Sequence, residues 1–118
     1  MKNVLLTLLF LISPITFPQA STGSPEQEIQ HLLAYLESSN CKFSRNGTWY
    51  SSAEAQSHLT RKYNYLQKKG LAPTAELFIK RAASESSATG KPYFVQCEGK
   101  PSIPSAEWLT QELTIYRK

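Results

Sequence analysis

The sequence predicts an α+β domain with about four helices packed on a small antiparallel sheet and one disulfide. Segments with apolar residues at helical spacing alternate with short stretches rich in aromatic and β-branched residues. An Asn-Gly pair at residues 46–47 marks a β-hairpin between two of these stretches. The chain has two cysteines, Cys41 and Cys97, and both lie next to predicted strands. Together these observations predict one hairpin, one later strand and a covalent link between them.

The N-terminal residues 1–20 have the layout of a secretory signal peptide. A basic residue precedes the apolar run 4–12, and two prolines and small residues follow it. This run is shorter than the roughly 20 apolar residues that a membrane-spanning helix needs. We expect cleavage after Ala20, or as late as Gly23, and no membrane span once the signal is removed. Residues 24–118 then form a single small domain.

The first two helices are predicted from their start signals and apolar stripes. Ser24 with Gln27 forms a capping box, and a second box follows at Ser51 and Glu54. The first helix ends near residues 38–40, and the second continues to about residue 69. The two core stripes are Ile29, Leu32, Leu33 and Leu36 in the first helix, and Ala55, Leu59, Tyr63 and Leu66 in the second.

The remaining elements are a third helix, one strand and a final helix. Thr74 caps the third helix, and Ser105 is expected to cap the last one. Between these helices, the strand is indicated by the stretch "PYFVQC". If this strand pairs with the hairpin, the two cysteines tie the sheet together at one end.

An even number of cysteines in an exported protein predicts a disulfide. Closing a loop of this length would stabilise the fold by about 4 kcal/mol in the chain-entropy model. The alternatives are a nucleophilic cysteine or a metal site, but the chain has neither CxxC nor HxxxH spacing. We therefore expect neither a metal nor another cofactor.

The net charge of +4 is modest and does not favour a nucleic-acid partner. The basic and aromatic run "RKYNYLQKK" divides its charges around a helix, which is typical of a solvated face. All nine acidic residues are Glu, so the usual ligand of calcium loops is absent from the sequence.

Several separated motifs follow one another along the chain. The first motif comprises Cys41, Phe43, Arg45, Asn46, Gly47, Trp49, Tyr50, Ala55, His58, Leu59, Lys62, Tyr63, Tyr65 and Leu66. It is followed in order by "TAE-FI", "SS--GKPY-V-C" and "WL---L--YR". Together these motifs resemble an uncharacterised family of short exported bacterial proteins, the domain of unknown function 5329, over essentially the whole mature chain. The resemblance implies a periplasmic or secreted bacterial protein and implies no activity.

A binding surface is the functional hypothesis that the residues favour. The hairpin brings together side-chain types that dominate protein interfaces, and neighbouring segments add basic and aromatic groups. The predicted binding residues are Arg45, Trp49, Tyr50, His58, Lys62, Lys91 and Tyr93. Because side chains alternate along a strand, one member of the Trp49–Tyr50 pair should fill the core and the other be exposed. The alternative is that the aromatic residues simply form the core.

The competing hypothesis is a small periplasmic hydrolase that uses His58. Glu54 precedes His58 by one helical turn and would orient its ring, with Ser86 or Ser87 as nucleophile. The same spacing is an ordinary helix-surface pair, and no nucleophile-elbow motif is present. We therefore expect an exported binding domain whose partner is another envelope protein or an anionic cell-wall polymer.

Overall fold

A computed structural model describes Leu11, Ile12, Pro14 and residues 23–118. The signal peptide predicted for residues 1–20 therefore lies almost entirely outside the described residues. Among the described residues, no helix is both long enough and apolar enough to cross a bilayer.

The described chain has four helices and one four-stranded antiparallel sheet, so the predicted α+β class is confirmed. In chain order the elements are α1 (Pro25–Ser38), β1 (Lys42–Arg45), β2 (Thr48–Tyr50), α2 (Ser52–Lys68), α3 (Ala75–Ala82), β3 (Phe94–Gln96), β4 (Ile103–Pro104) and α4 (Ser105–Tyr116). The sheet has the strand order β2-β1-β3-β4.

Three of the four predicted helix caps are present. Ser24 and Ser51 both form capping boxes, and the Thr74 side chain accepts a hydrogen bond from the Leu77 N–H. The expected cap of the last helix is wrong, because Pro104 is the N-cap and Ser105 is the first helical residue. Strand β4 pairs with β3 up to Pro104, so the chain turns into the helix at the proline and buries Ser105.

The sheet has one strand more than the sequence predicted. Ile103 pairs with Val95, and Pro104 pairs with Phe94 at the sheet edge. This two-residue strand lies in the segment "EGKPSIP", whose prolines and glycine suggested only a loop. Proline is acceptable here because an edge strand does not need every backbone N–H for pairing.

The hairpin turn and the pairing register determine which side chains face the helices. Asn46 and Gly47 both have positive φ, 51° and 81°, as a type I′ turn requires. The helix-facing row of the sheet comprises Tyr50, Phe43, Val95 and Ile103, and the opposite row comprises Trp49, Ser44, Phe94 and Pro104. Trp49 and Phe94 are exposed, whereas Phe43 and Val95 are buried against the helices.

The predicted disulfide is confirmed between Cys41 and Cys97, which are 56 residues apart in sequence. Cys41 immediately precedes β1 and Cys97 immediately follows β3, and these two strands are paired. The disulfide therefore fastens one end of the sheet. The core beneath it includes Leu32, Leu36 and Phe78, each at most 1% exposed.

Candidate functional site

A cleft of about 410 Å³ lies between α2 and the helix-facing side of the sheet. We call it the α2–sheet cleft. Its apolar lining residues are Leu36, Phe43, Ala53, Ala55 and Leu59, and its polar and charged ones are Ser44, Arg45, Tyr50, Glu54, Ser57, His58, Arg61, Tyr93 and Ser105. Its volume is within the range of small-ligand pockets, roughly 300–1,000 Å³.

Arg45 connects the hairpin to α2 through His58. Its Nη1 lies 2.9 Å from Nδ1 and 3.2 Å from Nε2 of the His58 ring, and its Nη2 donates to the Tyr50 hydroxyl at 3.2 Å. The guanidinium carbon also lies 4.9 Å from the centre of the Tyr50 ring. A guanidinium can only donate hydrogen bonds, so a ring nitrogen that it contacts acts as the acceptor, and we assign this role to Nδ1, the nearer of the two. With this assignment, the ring proton of a neutral His58 is on Nε2.

The Nε2 atom of the same ring contacts Tyr93. His58 Nε2 lies 3.2 Å from the Tyr93 hydroxyl, which also accepts a hydrogen bond from Lys62 Nζ at 3.1 Å. Lys62 Nζ donates to the Glu85 carbonyl as well, at 3.2 Å. One continuous hydrogen-bond chain thus joins Tyr50, Arg45, His58, Tyr93 and Lys62, which we call the Arg45–His58–Tyr93 network.

The electrostatics of the network keep His58 neutral at neutral pH. Burial lowers the pKa of His58 to about 4, and the positive charges of Arg45, Lys62 and Arg61 contribute to this shift. Burial and the Arg45 charge likewise lower the pKa of Lys62. Burial raises the pKa of Tyr93, so its hydroxyl keeps its proton.

The two cations of the network form no ion pair within the described part of the chain. Neither Arg45 nor Lys62 has a described carboxylate within ion-pair distance, although both are only partly exposed. Their hydrogen bonds within the fold are to an imidazole, to hydroxyl groups and to a backbone carbonyl. The charge of Glu85 acts on Lys62 from a greater distance and opposes the lowering of the Lys62 pKa by burial and by Arg45. Partly buried positive charge is usually paired, so the charge of Arg45 is available to an anionic group from outside the described fold.

Ser105 adds a hydroxyl group to the lining of the cleft. Its residue surface is only 2% exposed, and its backbone N–H donates to the Tyr93 carbonyl at 2.8 Å. Within the described part of the chain, its side-chain hydroxyl has no hydrogen-bond partner. Sequence reasoning assigned Ser105 to a helix cap and missed this role, because only the β4–α4 junction brings it beside Tyr93.

A second, shallower cavity of about 340 Å³ continues on the far side of His58. It shares His58 and Arg61 with the α2–sheet cleft and adds Lys62 and Arg81. Each cavity is therefore lined by one of the two network cations, Arg45 in the α2–sheet cleft and Lys62 in the second cavity.

Five of the seven predicted binding residues lie in the network, and two lie elsewhere. Trp49 is on the opposite face of the sheet and is 46% exposed. Lys91 is exposed in the loop before β3, where its backbone N–H bonds the Thr89 hydroxyl. Tyr93 is buried and also packs edge-on against His58, with ring centres 6.1 Å apart.

The groups of the hydrolase hypothesis have other partners. Glu54 accepts hydrogen bonds from the N–H and the hydroxyl of Ser51, which also lower the pKa of its carboxyl. The Ser86 hydroxyl accepts from Asn46 Nδ2 and from the Ala88 N–H, and Ser86 is buried. Among the described residues, neither Glu54 nor Ser86 is hydrogen-bonded to His58.

The fold and the cleft define a small disulfide-linked α+β domain with a cationic, aromatic cleft on one side of its sheet. The chain belongs to a family of unknown function (DUF5329), whose model matches residues 23–117. It is also 34% identical over 96 residues to the uncharacterized protein YfeK of Salmonella typhimurium, covering 79% of this chain and 77% of that protein. No solved structure matches the chain.

Proposed function

We propose that this protein is an exported binding domain of the bacterial envelope and that the α2–sheet cleft is its ligand-binding site. The observation that carries the proposal is the Arg45–His58–Tyr93 network, a partly buried cationic cluster in which no described carboxylate lies within ion-pair distance of Arg45 or Lys62. Structural arginines in a small fold are ordinarily paired with acids or extended into solvent, whereas this one lines a cleft.

The partner that fits is an anionic group presented by another envelope protein or by a cell-wall polymer. Localisation in the periplasm or outside the cell is supported by the Cys41–Cys97 disulfide, since such bonds persist in oxidising compartments. The predicted signal peptide points the same way.

Binding is favoured over hydrolysis by the partners of His58. Its ring is bonded to Arg45 and Tyr93, and its low pKa, about 4, makes it a weak base at neutral pH. A general base for hydrolysis needs a pKa near the working pH and a nucleophile within hydrogen-bond reach.

The test is capture of the partner from the native envelope by the mature, oxidised protein. Arg45→Gln removes one of the two cations that line the cleft, and Lys80→Gln is a matched control that removes one exposed positive charge away from the cleft. Both variants are first checked for an unchanged thermal melt.

We expect Arg45→Gln to lose a partner that wild type and Lys80→Gln retain at equal yield. Equal capture by Arg45→Gln and wild type would contradict the proposal. If Trp49→Ala alone lost the partner, the binding site would have to be on the opposite face of the sheet.

A further inference from the structure

We propose that the α2–sheet cleft recognises a carboxylate attached to an apolar group, with Arg45, Tyr50 and Tyr93 as donors to the carboxylate. This inference rests on the proposed function and specifies the chemistry of its ligand. It follows from the hydrogen-bond capacity that the network leaves unused, from the charge of the lining and from the apolar residues beside it.

The hydrogen-bonding groups that the network leaves without a described partner are all donors. Tyr93 Oη accepts from both His58 and Lys62, so its two lone pairs are used and its own hydrogen remains. Tyr50 Oη accepts from Arg45, and its hydrogen has no described acceptor. Arg45 offers further N–H groups and no acceptor at all.

His58 adds no hydrogen-bond acceptor for a ligand, so only donors of the network face the cleft. With Nδ1 accepting from Arg45 and Nε2 donating to Tyr93, neither ring nitrogen is left to accept from a ligand. A ligand ammonium would bring only donors to a wall of donors, and a ligand hydroxyl could accept there but would leave its own hydrogen without an acceptor. An ionised carboxylate is an acceptor-only group, and a guanidinium binds it with two parallel hydrogen bonds.

The charge of the lining favours a single negative charge. Arg45 and Arg61 are positive, Glu54 is negative and His58 is neutral at neutral pH, which leaves one positive charge among the lining residues. Lys62 does not line this cleft, although it is bonded to Tyr93, and its positive charge is partly offset by Glu85. A monoanion neutralises this charge, whereas a phosphate monoester would bring an excess of negative charge close to Glu54.

The apolar part of the ligand is expected on the remaining lining. Leu36, Phe43 and Leu59 are each at most 6% exposed and all line the cleft, so an apolar chain can rest against them. Contact with this surface should contribute affinity chiefly because it removes the apolar area of the ligand itself from water.

The experiment is calorimetric titration of the mature, oxidised protein with matched small probes. Octanoate has both the carboxylate and the apolar chain of the proposed ligand, whereas acetate has the carboxylate alone. Octan-1-ol has the same chain with a neutral hydroxyl group, and octyl phosphate has the same chain with a different anionic group. A short peptide ending in leucine, with a free carboxylate or with an amide, separates a peptide C-terminus from a free aliphatic acid as the source of the carboxylate.

We expect octanoate to bind at least about tenfold more tightly than octan-1-ol, or the free-carboxylate peptide to bind at least about tenfold more tightly than its amide. A charge-assisted bidentate pair contributes more binding free energy than a tenfold change in affinity requires. Arg45→Gln should weaken binding about tenfold, Tyr50→Phe should weaken it several-fold, and Lys80→Gln, at an exposed position outside both cavities, should leave it unchanged. Ala53→Trp is a second variant, for use if Arg45→Gln fails to fold. It adds bulk at an exposed lining position without altering the network, so it should block ligand binding in the cleft.

The inference is overturned if octanol binds as well as octanoate, if octyl phosphate binds more tightly than both carboxylate probes, or if neither carboxylate probe binds at millimolar concentration. Its failure is distinguishable from failure of the proposed function. Envelope capture that is still lost in Arg45→Gln would keep the cleft as the binding site while excluding a carboxylate with an apolar tail as its ligand.

Discussion

His58 titrates well below an ordinary histidine because burial and three neighbouring cations disfavour its charged form. The unfolded chain binds a proton near pH 6.5, whereas the folded chain does so only near pH 4. The stabilisation from a neutral His58 is therefore fully present above pH 6.5 and is lost as the pH falls toward 4. After allowance for its partial exposure, we expect this loss to be about 1–2 kcal/mol.

The measurement is the free energy of unfolding as a function of pH, compared with that of His58→Gln. Glutamine provides one acceptor and one donor but does not titrate, so the variant should lack this part of the acid dependence. A ring titration by NMR should give a His58 pKa near 4 in the folded protein. A pKa near 6.5 would contradict the network as described.

Gly47 is needed for the backbone of the hairpin turn and not for space. Its φ is +81°, and a Cβ added there would meet no atom within 4 Å. Gly47→Ala should therefore destabilise the protein by about 1–2 kcal/mol through backbone strain alone. Asn46 has positive φ as well, but its side chain is hydrogen-bonded to Ser86 and Thr89, so the turn is tested at Gly47. Equal melting temperatures for Gly47→Ala and wild type would argue against the type I′ turn.

At the scale of elements, Arg117 joins three helices. It follows α4, and its guanidinium donates to both oxygens of Glu28 in α1, at 2.7 and 2.9 Å, and to both oxygens of Glu76 in α3, at 2.6 and 3.0 Å. These hydrogen bonds lower the pKa values of both carboxyls. Glu28 is only 4% exposed, so it depends on this partner for the compensation of its charge.

Arg117→Met should cost about 2–3 kcal/mol, because it leaves the Glu28 carboxylate buried without its main partner. Lys80→Met is the matched control, since Lys80 is an exposed cation on α3. Glu28→Gln in the Arg117→Met background should recover part of the loss. The measurement is chemical denaturation, and a loss no greater than that of Lys80→Met would show that the three-helix contact is unimportant.

At the scale of the whole molecule, the disulfide should carry a large share of stability. It closes a loop of 56 residues in a domain with a small core, and the chain-entropy model gives about 4 kcal/mol for such a loop. The double variant Cys41→Ala/Cys97→Ala should therefore melt more than 10 °C below the oxidised protein, at roughly 4–8 °C per kcal/mol. A shift of only one or two degrees would mean that packing alone holds the sheet.

The sequence predicts the framework well because its signals are local. Capping at Ser24 and Ser51 depends on residues within one turn, and the Asn46-Gly47 turn depends on its own backbone. Strand β4 was missed because Ile103 and Pro104 become a strand only through pairing with β3. A two-residue edge strand has no periodicity of its own to detect.

The candidate site was predicted only in part, for the same reason. Basic and aromatic residue types near the hairpin indicated Arg45, His58 and Tyr93, but residue type could not distinguish them from Trp49 and Lys91. That distinction depends on the strand register, which turns Tyr50 toward the helices and Trp49 away. The contribution of Ser105 depends on how α4 begins after β4, which is a tertiary property.

The most direct test of the central claim, that the α2–sheet cleft is the binding site, is photo-crosslinking in the cell envelope. A photoreactive residue replaces Ala53, which is exposed and lines the cleft, or Gln111, which is exposed on α4 and does not line it. We predict a specific crosslinked product from position 53 that is absent from position 111 and is lost when Arg45→Gln is added. Equal crosslinking at both positions, or a product at position 53 that is insensitive to Arg45, would contradict the account.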